Sequence, residues 1–153
     1  MSMFLKSSVF KDGEWIPEKF TCDGDNINPL IEIHHPPHGT KSFVLIMDDP
    51  DATRGYAWDH WVLWNIDSKT QYIMEDTMPG GAECGINSFG KKVYGGPCPP
   101  RGGKPHHYVF TLFALDTVLE LGADALRCDV ESAMQGHILE TAKLIAMYGR
   151  KEL

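Results

Sequence analysis

Three short polar clusters hold most of the side chains in this sequence that could do chemistry. Asp48, Asp49 and Asp51 stand in MDDPDA, Trp58, Asp59 and His60 in WDHW, and His106, His107 and Tyr108 in PHHYVF. A carboxylate that accepts one imidazole N–H fixes the tautomer of that ring and aims its second nitrogen. Two imidazoles and a phenol so oriented form a small donor set suited to phosphate or another oxyanion. Hydrogen bonds to a charged partner contribute roughly 1.5–3 kcal/mol each, so two or three support a millimolar-to-micromolar site. The chemistry is that of recognition.

Each cluster also has a structural explanation when taken singly. Asp before Pro starts turns, and a histidine at a strand end is commonly structural. Their joint placement at the ends of apolar runs, where a rigid scaffold presents binding residues, favours function. Hydrolysis is less well served. There is no GxSxG elbow, and Ser88 lies in NSFG with no helix signal after it. Cys98 is flanked by Pro97 and Pro99, and Pro99 has no N–H to offer an oxyanion hole. His34, His35 and His38 fall in a proline-rich surface turn, and no spacing around His60, His106 and an aspartate enforces a coordination geometry. No metal and no cofactor is expected.

The clusters need strands to hold them. Lys41 to Met47 (KSFVLIM), His60 to Ile66 (HWVLWNI) and Tyr108 to Leu115 (YVFTLFAL) are apolar, β-rich runs, each abutting one cluster. Weaker strand candidates are Met3 to Phe10, Leu30 to His34 and Gln71 to Glu75, separated by DG, PPHG and PGG turns. Gly95 to Pro105 mixes glycine with proline, which specifies a loop path, and reads as a shaped wall leading to His106. From Val130, the positions Val130, Ala133, Met134, Ile138, Thr141, Ile145 and Tyr148 track one helical face, with Asp129 at its start and Gly149 at its end. The expectation is a mainly β domain closed by one long C-terminal helix.

At 153 residues the chain reads as a single domain over 1–153, with 42% hydrophobic and 23% charged residues as in ordinary globular proteins. A formal charge of −7 disfavours nucleic acid and anionic membrane surfaces as general partners. No run approaches the roughly 20 apolar residues of a membrane span, and MSMFLKSSVF carries no cleavage pattern, so no membrane insertion and a cytoplasmic location are expected. The four cysteines form no CxxC pair, and reduced thiols are expected, with a Cys22–Cys98 bridge as the disfavoured alternative.

Taken together, FTCDGDNINPL, GTKSFVLIMDDPDA, WDHWVLWNI, YGGPCPPRGG, HHYVFTLFALD and AMQGHILETAKLIAMYGR resemble the phosphatidylethanolamine-binding protein family, also called Raf kinase inhibitor-like proteins, and most closely its short YbhB/YbcL-type bacterial and archaeal branch. The motifs span nearly the whole chain in the family order. The resemblance implies a central antiparallel sheet packed on a second, smaller sheet, with a C-terminal α-helix and a small anion pocket at one end. It assigns Asp49, Trp58, His60, Gly96, Pro100, His106 and Tyr108 to that pocket, with a cis peptide before one of the loop prolines. His107, beside His106 on an alternating strand, is expected to face the other way.

Three departures from the family pattern stand out, of which the RGGKP insertion bears on ligand size. His107 stands where the family usually has Arg, and RGGKP lengthens the approach to His106; DPDAT also lacks the final proline of the family's DPDxP motif. The expected function is a non-enzymatic binding or regulatory protein. Its pocket would take phosphate-like groups: a phosphorylated small molecule, a lipid headgroup, or a phosphorylated or acidic side chain of a protein partner. The alternatives are a hydrolase using an Asp–His pair and a protein-interaction module with a vestigial pocket. A homodimer is common among related bacterial proteins, but no decisive patch marks it here.

Overall fold

The structure is a computed structural model that describes residues 1–53 and 55–153. Five strands form the main antiparallel sheet: β3 (Ser42–Asp49), β4 (Trp58–Asp67), β6 (Glu83–Cys84), β7 (His106–Leu115) and β8 (Ile138–Tyr148), in the order β6-β4-β3-β7-β8. A smaller antiparallel sheet has β1 (Phe4–Lys6), β2 (Ile31–His34) and β5 (Tyr72–Ile73), in the order β1-β2-β5. Among the described residues one α-helix, α1 (Arg127–Met134), completes the fold.

The continuous apolar runs follow from the layering, because the central strands are covered on both faces. Phe43, Leu45 and Met47 of β3 join Trp61, Leu63, Phe110 and Leu112 in a core shared with the small sheet. The alternate residues Val44 and Ile46 join Val62, Trp64, Val130 and Met134 in a second core beneath α1.

One irregularity places the site. Along β3 and β4, Met47 opposes Trp61, but the next residue, Asp48, opposes Asp59. His60 is therefore the extra residue of a β-bulge, which sets His60 and Trp61 on the same side of the sheet and returns Asp59 to the other. Simple alternation would have placed His60 beneath α1.

The expected long C-terminal helix is corrected: α1 spans only Arg127–Met134, and Ile138–Tyr148 is the edge strand β8. The helical stretch ends because Gly136 adopts φ 81, a left-handed conformation that closes helices. Beyond it, Ala142, Leu144, Ala146 and Tyr148 are buried at every second position, and this period of two prevails once the strand can pair with all of β7. Asp129 does serve the helix start, from inside the first turn, where its carboxylate accepts the Leu126 N–H (2.9 Å).

The cysteine expectation is corrected as well. Cys22 and Cys98 form a disulfide, their Cα atoms 5.4 Å apart, and only Cys84 and Cys128 are free thiols. A sequence separation of 76 residues hid the proximity, which arises because the loop after the Glu18–Phe20 turn crosses the Gly/Pro wall. Among the described residues every peptide bond is trans, so the expected cis-proline is absent. The wall takes its path instead from glycines in close approach. A Cβ on Gly96 would collide with the Phe20 carbonyl, and one on Gly95 with the Phe89 ring. No helix among the described residues is long and apolar enough to cross a membrane.

Candidate functional site

The three clusters meet at one end of the main sheet, and the pleat sorts them. Asp49, Trp58, His60, His106 and Tyr108 line a cavity of about 340 Å³. Asp48 and Asp59 turn the other way and share Arg127 of α1, whose Nη1 lies 2.9 Å from Asp59 Oδ1. His107 faces solvent, as expected, and donates through its backbone and ring N–H groups to Asp51 Oδ2 (2.8 and 2.7 Å). Burial pushes the Asp51 carboxyl up, but these bonds outweigh it and hold it below its usual range.

Within the cavity the carboxylate of Asp49 is turned toward the protein. Its Oδ1 accepts the Asp51 backbone N–H (2.8 Å), and its Oδ2 pairs with His106 Nδ1 (2.7 Å). Asp49 thus fixes the His106 ring and leaves Nε2 as the nitrogen for other work. His60 Nδ1 donates to the Gly95 carbonyl (2.6 Å), so its second nitrogen is likewise Nε2. Burial pushes the His60 pKa down, against the pull of that carbonyl and of Asp49, which favours the neutral ring.

Tyr108 lies between the two imidazoles, its ring edge-on to His60 (centroids 5.2 Å) and roughly parallel to His106 (6.3 Å). It is 1% exposed, and its hydroxyl, though within reach of the Asp49 carboxylate, makes no hydrogen bond of good geometry in the protein. Burial and the nearby Asp49 charge push its pKa far up, so the phenol stays a donor. Buried polar groups are nearly always bonded; Trp61 and Trp64 also have an unpartnered Nε1, and the Tyr108 hydroxyl differs from them in belonging to a residue that lines this cavity.

The wall contributes Cys98, Pro99 and Pro100, while Phe89, edge-on to both Trp58 and His60, closes the side. Gly96 sits behind this wall rather than on it, its N–H bonded to Asn26 Oδ1 (2.8 Å). The RGGKP excursion is tied back at its start, where Arg101 bridges to Arg150 and the Gly102 N–H donates to the Arg150 carbonyl (2.8 Å).

Sequence reasoning missed Arg150, which also lines the cavity. Its Nε and Nη2 grip Asp23 (3.2 and 3.0 Å), which accepts the Tyr148 hydroxyl as well (2.6 Å). The Tyr148 hydroxyl and then Arg150 outweigh burial and hold the Asp23 carboxyl below its usual range. The signal that could have found Arg150 was the strand period in 141–148: with β8 in place, Tyr148 pairs with His106, and a residue two further on falls beside the cavity.

A two-sheet β domain with a histidine-lined cavity at one sheet end defines the class. The chain matches the phosphatidylethanolamine-binding protein family over residues 6–149 and belongs to it. It is 50% identical to a UPF0098 protein of Aquifex aeolicus, covering 98% of this chain and 89% of that one. The UPF0098 protein YbcL of Escherichia coli is 38% identical, with 92% and 81% covered. The crystal structure of E. coli YbcL, described as a new member of the mammalian PEBP family, superposes with a TM-score of 0.92 at 32% identity, covering 99% of this chain and 100% of that one. A Chlamydia trachomatis homolog gives the same TM-score at 34% identity, with 98% and 99% covered. A carboxypeptidase Y inhibitor crystallised with its proteinase shares the fold at 17% identity, TM-score 0.61, over 97% of this chain and 83% of that one.

Proposed function

We propose that this protein is a non-enzymatic binding or regulatory protein whose cavity takes a phosphoryl-type group on a small molecule, a headgroup or a partner side chain. The observation that carries this reading is the orphan Tyr108 hydroxyl held between His60 and His106. Asp49 directs both oxygens into hydrogen bonds with the protein and so orients His106, while its negative charge is still felt by the other cavity groups. Catalysis has less support. Cys98 is tied in the disulfide, and the Tyr108 phenol is pushed away from the ionised form a nucleophile needs.

Proton uptake should accompany binding. His60 already donates Nδ1–H to Gly95, so an anion meets a second donor at Nε2 only when the ring is protonated. Burial lowers that pKa in the empty cavity, and a bound anion raises it; affinity therefore increases as pH falls from 8 to 6, by up to about tenfold per pH unit for each proton taken up. The experiment is an NMR titration of histidine ring signals with phosphate, O-phosphoethanolamine and sulfate, with His106→Ala as control. Sulfate does not titrate in this range and isolates the protein's protons. Saturable shifts at His60 and His106, lost in the variant, support the reading. Sulfate affinity flat between pH 6 and 8 overturns the histidine role.

A further inference from the structure

We propose that the Cys22–Cys98 disulfide is a redox control on the cavity: anion affinity is high in the disulfide form and falls when the bond is reduced. This rests on the anion-binding reading above and adds its regulation. The bridge is part of the cavity itself, since Cys98 is one of the lining residues and is exposed, while Cys22 is half-buried behind it. Cys98 is the more exposed of the two half-cystines and the proposed point of attack.

The electrostatic link runs through Arg150. Among the described residues lining the cavity it is the one permanent cation, and its Nη1 lies 3.6 Å from Cys98 Sγ. Its other nitrogens hold Asp23, the residue that follows Cys22. Both half-cystines thus bear on one guanidinium, Cys98 by contact and Cys22 through its neighbour. The two loops are further laced by the Cys22 N–H to the Pro97 carbonyl (3.1 Å) and the Gly96 N–H to Asn26, so the wall is anchored where the bridge sits.

Reduction by a dithiol balances simply. Its thiolate attacks Cys98 Sγ, the S–S bond breaks, and Cys22 leaves as a thiolate that takes up a proton. The second thiol of the reductant then displaces Cys98 as a thiolate and leaves the reductant as a disulfide, two electrons and one proton having passed to the protein and one proton to solvent. Cys98 is released beside a guanidinium, which favours its thiolate. A neutral sulfur in the wall becomes a negative charge on the cation that faces the ligand, and the two loops lose their covalent tie. Both changes weaken anion binding.

Cys84 and Cys128 do not interfere. Burial pushes the half-buried Cys84 thiol up to about 11, and Cys128 lies on α1 across the sheet. The test is calorimetric titration of inorganic phosphate into the full chain, oxidised and after dithiothreitol, at pH 7.5. At least about tenfold weaker binding on reduction, recovered on reoxidation, is expected. By reciprocity, phosphate then makes the disulfide harder to reduce, by about 30 mV per tenfold of affinity.

A second comparison holds even if the reduced chain loosens. Cys22→Ala keeps the Cys98 thiol and should bind phosphate more weakly than Cys22→Ala/Cys98→Ala, with a gap that widens as pH rises. Equal affinities in oxidised and reduced protein, or in these two variants, overturn the redox control while the anion site stands. No phosphate binding in any form overturns the anion reading, and the control with it.

Discussion

The two faces of the main sheet, at the same strand ends, solve the same problem in opposite ways. Beneath α1, Asp48 and Asp59 share Arg127, with Glu131 a turn further along the helix (3.5 Å), and all of these side chains keep some contact with water. On the cavity face, Asp49, His60, His106 and Tyr108 are more deeply buried, yet the Tyr108 hydroxyl is unpartnered and Arg150, the one permanent cation among the described cavity-lining residues, is already held by Asp23. Burial without satisfaction is costly, so a complete network is what stability alone would select. At its strand ends the helix face has one, although Trp64 Nε1 deeper beneath α1 is unpartnered. The set on the other face is incomplete, as the proposed anion site requires.

This contrast predicts that variants on the two faces separate stability from binding. The largest effect belongs to Arg127→Ala. Removing the guanidinium leaves Asp48 and Asp59 facing each other, and burial already pushes the Asp59 carboxyl up. Breaking a buried pair costs about 3–5 kcal/mol; the arginine side chain is 27% exposed, so about 2 kcal/mol is expected. Urea denaturation should show that loss while phosphate affinity stays within about twofold. A matching loss of affinity would erase the distinction between the faces.

Tyr108→Phe should do the reverse. Deleting an unsatisfied buried hydroxyl raises stability by about 1 kcal/mol, and removing a donor from the cavity weakens phosphate binding by about tenfold. Thermal unfolding and titration on one sample check both signs. A variant less stable than the parent would mean that the hydroxyl was already bonded.

The smallest effect is reserved for His107→Ala. Its pairing with Asp51 is solvent-exposed, with side chains 52% and 42% accessible, so at most about 0.5 kcal/mol and less than about twofold in affinity should be lost. A larger drop in affinity would extend the site beyond the cavity, onto the outer face of β7.

The strands that carry the site were legible because they are buried on both faces: KSFVLIM and YVFTLFAL have few arrangements open to them except central strands. The final segment was harder. Its apolar positions satisfy periods of both 3.6 and two, and local pattern cannot choose between them. Gly136 was the available stop signal, one residue type among many turn formers.

By itself, the sequence determined which residues could do chemistry, that strand ends would present them, and that His106 and His107 would part company, because those facts follow from residue type and the pleat. Tertiary structure alone decided the rest. The bulge put His60 on the cavity face, pairing with β7 turned the last segment into β8 and brought Arg150 to the cavity, and two loops 76 residues apart met in a disulfide. Each depends on contacts between segments distant in the chain, whose free energy is shared by both partners and is written in neither one alone.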